Sequence, residues 1–295
     1  MRRQSCKHGS SEWRDFASFA GFDFAARSFH TAFFFFSNDH SMQFFSPERI
    51  EKTKALARNG KPFIFDDGDI RTLHFNEHVV QSAMRLSAPD ELVLLYTQMM
   101  SRFLALHPAP QHILLIGLGG GSLVKYCYRQ LPAVRMTVLE SNADVIALRD
   151  RFMIPPDDAR LQVLHVDAVQ YLAQMTAASA DVILLDGFDA DGAPQALRSR
   201  NFVSDCKRVL RKQGVLVANM GDDNMNIVGL LVQGRAVFSA PHVWWFRTIR
   251  DNSHIAVAVH ADDDAIADTA LHGTALRIGA DAELEFIYPK NPLTD

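Results

Sequence analysis

Three cysteines in 295 residues, Cys6, Cys127 and Cys206, are too widely spaced to suggest a disulfide framework, and no CxxC pair offers a zinc site. A reducing cytoplasm is the simplest setting for such a chain. The 12 histidines contain no HExxH spacing, so His107, His112, His165, His242 and His254 read as structural or solvent-facing rather than as metal ligands. Ser122 has no GxSxG elbow around it, which argues against a hydrolase. No apolar run reaches the roughly 18 to 20 residues that cross a bilayer, so a soluble protein without a membrane partner is expected. Basic residues number 30 against 34 acidic ones, a net charge of −4. That balance lacks the positive excess of a nucleic-acid binder and is compatible with a cationic small molecule.

The chain has enough apolar sequence for a sizeable core, with 48% hydrophobic and 22% charged residues. Residues 1–45 stand apart: they crowd phenylalanines into a stretch with neither helical nor strand period and read as a poorly ordered extension. Met42 is an alternative start, and an organelle-targeting peptide is the competing reading. Residues 46–106 are expected to form a small β unit and a connecting helix. In "KPFIFDDGDIRTLHFNEHVVQ", residues 61–81, alternation around Asp67-Gly68 predicts short antiparallel strands joined by a tight turn. "SAPDELVLLYTQMMSRFLALH" predicts a helix opening near Ser87 and Asp90 and stopping at Pro108.

From 107 to 262 a strand-then-helix rhythm recurs five times, with strands at 113–117, 136–140, 161–166, 181–186 and 214–219. The predicted fold is α/β, a doubly wound, mostly parallel sheet. "VWWFRTI" and "HIAVAVH", separated by Arg250-Asp251-Asn252-Ser253, add an antiparallel C-terminal hairpin, and 263–295 is a C-terminal segment. Trp244 and Trp245 fall in one of these strands, one pointing inward and the other outward.

The chemistry is expected where the parallel strands end. "ILLIGLGGGSLVKYC" runs a fully apolar strand into Gly117, Gly119 and Gly121, a GxGxG turn before a helix, where missing side chains let a ligand approach the backbone. Glu140 ends the second strand, where a carboxylate accepts from both ribose hydroxyls; Asp167-Ala168 closes the third, where an adenine would lie. Asp186 and Asp189 end the fourth strand and begin its loop. Two carboxylates there bind a cation, or one serves as a general base, and the Asp191-Gly192 segment beyond is lid-like.

Together "VVQSAM", "PDEL", "HPAPQHILLIGLGGGS", "VLESNADVI", "VDAVQYL" and "DGFDADGAPQAL" resemble the spermidine synthase family, the polyamine aminopropyltransferases, over about residues 61–260. The resemblance implies a class I methyltransferase-like fold with a small N-terminal β unit. It further implies transfer of an aminopropyl group from decarboxylated S-adenosylmethionine to putrescine or a related amine, with no prosthetic group. The family's Asp-x-x-Asp signature falls on Asp186 and Asp189 and makes Asp189 catalytic. Nucleoside contacts fall on Gly117, Glu140, Asp167 and Asp186; Gln81 matches a substrate-side glutamine, and Tyr96 stands in for a family tyrosine. A homodimer is implied as well. Two departures mark a divergent, spermidine synthase-like branch: Gly120 occupies an acidic position that holds the donor's amine, and Ala190 replaces a proline. The alternatives are methyl transfer from intact S-adenosylmethionine, for which Gly120 would make room, and non-catalytic binding of an adenosyl nucleoside.

Overall fold

A computed structural model of the chain describes residues 47–57, 61–77, 79–188, 192–221, 224–248, 253–261 and 284–286. The extension expected over 1–45 and most of the C-terminal segment therefore lie outside the described residues. After a short helix, α1 (Pro47–Lys54), come three strands, β1 (Phe63–Asp67), β2 (Ile70–His74) and β3 (Ser82–Arg85), paired antiparallel in that order. Gly68 turns the β1–β2 hairpin with φ 59°, a conformation that costs glycine nothing. The third strand lies beyond the 61–81 stretch read from sequence. His74 and His78 stand four apart, but His74 Nε2 bonds Thr72 Oγ1 at 2.8 Å and His78 lies outside the described residues. No cluster of three metal-ligating side chains occurs among those residues.

The helix expected from Ser87 starts late. Ser87 turns its backbone N–H and hydroxyl to Asp69, and Glu91 pairs with Arg85 at 2.8 Å, so 86–94 stays irregular and α2 spans only Leu95–Met100. A 3₁₀ turn, Ser101–Ala105, completes it. Side-chain bonding of this kind competes with helix formation.

The main unit follows as β4 (His112–Ile116), α3 (Ser122–Gln130), β5 (Arg135–Glu140), α4 (Ala143–Ile146), β6 (Leu161–His165), α5 (Ala168–Gln174), β7 (Ala180–Leu185), α6 (Arg200–Val209), β8 (Leu210–Gly221), α7 (Asn224–Phe238), β9 (Val243–Thr248), β10 (His254–Val259) and β11 (Leu284–Phe286). Eight strands pair in the order β11-β9-β10-β8-β7-β4-β5-β6, parallel from β8 to β6 and antiparallel from β8 outward to β11. The predicted doubly wound sheet and antiparallel hairpin are thus present.

Two cores explain why β4 is apolar from Ile113 to Ile116. Ile113 and Leu115 pack with Leu123, Cys127 and Met100 on one face; Leu114 and Ile116 pack with Leu172, Phe202 and Leu230 on the other. Leu73, Phe75 and Met84 of the small β unit join the first core. Trp244 belongs to the first core, while Trp245 lies half-buried against the second rather than facing open solvent. Regular helix after Asn142 is confined to Ala143–Ile146, because irregular turns follow and Met153 takes a left-handed φ of 53°. Cys127 and Cys206 are buried and free, and burial pushes the Cys127 thiol up to about 12. No helix among the described residues is long and apolar enough to cross a membrane.

Asp181, at the start of β7, ties three elements together. Its Oδ2 accepts the backbone N–H groups of Gln111 and His112 at 2.8 Å, and Oδ1 accepts from Arg211 at 2.7 Å. Burial works to raise its pKa, but these donors together hold it below the usual carboxylate range. Such a depressed group contributes stability above its unfolded pKa and loses it as pH falls through the folded value. Asp181→Ala is therefore expected to cost about 3 kcal/mol in urea unfolding at pH 7, and the deficit should shrink as the carboxyl titrates in acid.

Candidate active site

The strand order places β4 between β5 and β7, so connections leave in opposite directions and open a crevice at the strands' C-terminal ends. The glycine turn occupies that point. Gly117 has φ 94°, and a Cβ there would stand 2.2 Å from the backbone oxygen of Asp186, so only glycine lets β4 and β7 close together. At Gly120 a Cβ would meet Ser82 Oγ at 2.7 Å and the Phe152 ring at 2.9 Å. Gly119, at φ 51°, is different: its nearest neighbour is Ser82 Cβ at 3.8 Å, leaving open space for a ligand. Gly121 is the left-handed residue from which α3 starts, with Ile154 against it. The turn's glycines are thus required partly by the protein's own packing. The room expected beside Gly120 for a donor carboxylate is already filled by Ser82 and Phe152.

Glu140 is buried at the end of β5, and both its oxygens are engaged: Oε2 accepts the N–H of Leu118 and Oε1 that of Asn142, each at 2.8 Å. It fastens the glycine turn to β5. Each carboxylate oxygen retains a second lone pair, which leaves capacity for a ribose hydroxyl. Asp167 is exposed and caps α5, accepting the Gln170 N–H at 2.9 Å through Oδ1. Ala168 begins α5 with its side chain in the second core, so only its backbone is available to a nucleoside.

Asp186 follows β7 directly. Its Oδ1 accepts from Asn219 Nδ2 at 2.9 Å and its Oδ2 from the Tyr96 hydroxyl at 3.2 Å. The same hydroxyl lies 3.4 Å from the carbonyl oxygen of Gln81, which brings three sequence-predicted residues to one point. Burial pushes the Asp186 carboxyl up, opposed by the Asn219 and Tyr96 hydrogen bonds. Asn219 escaped the sequence reading. The available signal was a lone amide near the end of the apolar run "VLVAN" on β8, a strand-end position like those of Glu140 and Asp186. Asp189, the expected catalytic residue, and Asp191 lie outside the described residues.

The glycine turn, the buried Glu140 and the half-buried Asp186 thus meet at the C-terminal ends of β4, β5 and β7. Residues 93–238 match the spermine/spermidine synthase domain. The polyamine aminopropyltransferase of Neisseria meningitidis serogroup A is 38% identical over 167 residues, covering 55% of this chain and 63% of that protein. The chain therefore spans somewhat under two thirds of that curated relative. A probable spermidine synthase from Corynebacterium glutamicum superposes with a TM-score of 0.62 at 22% identity, covering 74% of this chain and 82% of that one. A spermidine synthase in complex with the transition-state analogue AdoDATO gives 0.54 at 19% identity, covering 70% of this chain and 76% of that one. Those two structures share the fold of this chain.

Proposed function

We propose that this protein is an aminopropyltransferase-like enzyme that uses decarboxylated S-adenosylmethionine as donor and putrescine or a related amine as acceptor. The observation that supports this most is the meeting of Asp186, Tyr96, Asn219 and the Gln81 carbonyl beside Gly117. A half-buried acidic and carbonyl-lined corner suits an ammonium group and opposes an anionic acceptor. In the proposed reaction the acceptor nitrogen forms a bond to the donor methylene carbon beside the sulfonium. The carbon–sulfur bond breaks, its electron pair stays on sulfur, and methylthioadenosine leaves as a neutral thioether.

An alkylammonium has a pKa of about 10.4 in water and must lose a proton before it attacks. Asp189 is the assigned base, three residues beyond the anchored Asp186. Glu140, Asp167, Asp186 and the backbones of Gly117, Gly119, Gly121 and Ala168 are assigned to the nucleoside, Gln81 and Tyr96 to the amine. The remaining catalysis is alignment of nitrogen, carbon and sulfur. A cytoplasmic location and a homodimer belong to the same reading and rest on family resemblance alone. Mass spectrometry of reactions offering decarboxylated or intact S-adenosylmethionine with a panel of diamines and polyamines tests the proposal. Aminopropylated products from the decarboxylated donor are expected; methylated products, or none, would overturn it.

A further inference from the structure

Behind the glycine turn sits a buried lysine with no part in the reaction described above. Lys125, on α3, is 4% exposed. Its Nζ lies 2.8 Å from the carbonyl oxygen of Phe152 and 2.9 Å from Met84 Sδ on β3. The preceding carbonyl, that of Arg151, accepts from Arg71 on β2. Two cations thus take the successive carbonyls where the turns after α4 end, groups that have no helical partner of their own. The side chains of this segment reach the site: the Phe152 ring closes the space beside Gly120, and Ile154 that beside Gly121. Ser82 Oγ, 3.2 Å from Ser122 Oγ, joins β3 to the start of α3 at the same place.

We propose that Lys125 is a positioning residue for the glycine turn: by holding the Phe152 carbonyl it fixes the 151–154 segment against Gly120 and Gly121, and so sets the conformation that receives the donor. The assignment of a donor to that turn rests on the function proposed above; the mechanical role of Lys125 does not. A space-filling role alone would favour an apolar side chain. Burial holds the Lys125 pKa down to about 7, against the opposing pull of Asp90 from the segment between β3 and α2. Arg71 is the neighbouring cation on β2, while β3 presents the Met84 thioether. The unfolded chain binds the extra proton between about pH 7 and 10.4. Stability therefore rises with pH across that window, and below it the fold bears the full cost of the buried ammonium.

Hydrogen exchange of the amides of residues 117–122, without ligand, tests the role in wild type, Lys125→Met and Lys125→Arg, with methylthioadenosine affinity measured alongside. Lys125→Met should lower protection in the turn by roughly tenfold while leaving α5 and α6 unchanged, and Lys125→Arg should restore it. Methylthioadenosine binding should weaken in the same order. Wild-type protection at 117–122 in folded Lys125→Met would overturn the proposal. Should Lys125→Met not fold, Arg71→Ala, which frees the adjacent carbonyl from the more exposed side, should loosen the same turn; unchanged protection there would equally overturn it. A protection change in a protein that binds no methylthioadenosine would leave the positioning role standing and remove the donor assignment.

Discussion

Gly117→Ala is expected to destabilise the protein by about 3 kcal/mol and to abolish nucleoside binding. The methyl group would be placed 2.2 Å from the Asp186 backbone oxygen at a φ of 94°. Both neighbours are backbone, so no rotamer change relieves the overlap. Gly117 N–H donates to Leu139 O at 2.8 Å, and Asp186 N–H to Ile116 O at 2.8 Å. Relief would therefore pull β4 away from β7 or β5 and move the turn and Asp186 together. Urea unfolding and calorimetry with methylthioadenosine would measure the two losses; a variant with wild-type stability would show that this tip is far more compliant than the packing implies. Gly119→Ala is the informative contrast, since it meets open space and should disturb binding more than folding.

The second large effect separates the two aspartates of the loop. Asp189→Asn removes the assigned base and is expected to lower turnover by roughly 10² to 10⁴ while donor affinity stays within a few-fold of wild type. Asp186→Asn keeps the shape that Tyr96 and Asn219 hold but removes the charge, so both donor and amine affinity should fall along with turnover. It should not destabilise the fold at neutral pH. Burial raises the Asp186 pKa, so ionising this carboxyl costs the folded state progressively more as pH climbs above the unfolded value. The stability advantage of Asp186→Asn over wild type should accordingly grow from the unfolded pKa up to the raised folded one and level off above it, read from paired thermal melts over a pH series. In the wild type, amine affinity should decline as pH falls through the raised value, because the neutral acid attracts an ammonium poorly. Equal loss of turnover without loss of affinity in both variants would contradict the division of roles.

Sequence by itself determined the sheet and most of the crevice. Fully apolar runs such as Ile113–Ile116 have no solvent-facing side and must be central parallel strands, and a rule about where such strands end then located Gly117, Glu140, Asp167 and Asp186. Tertiary structure decided what those residues touch. Helix periodicity placed a start at Ser87, but Ser87 is drawn to Asp69 across the chain, a contact no local pattern encodes. Asn219 became part of the site only when β8 aligned beside β7, and Lys125 acquired its partners only when β3 and the 151–154 segment closed on α3. The physical reason is the same in each case: apolar periodicity is a property of neighbouring residues, whereas a buried polar group must find its partner wherever folding delivers one.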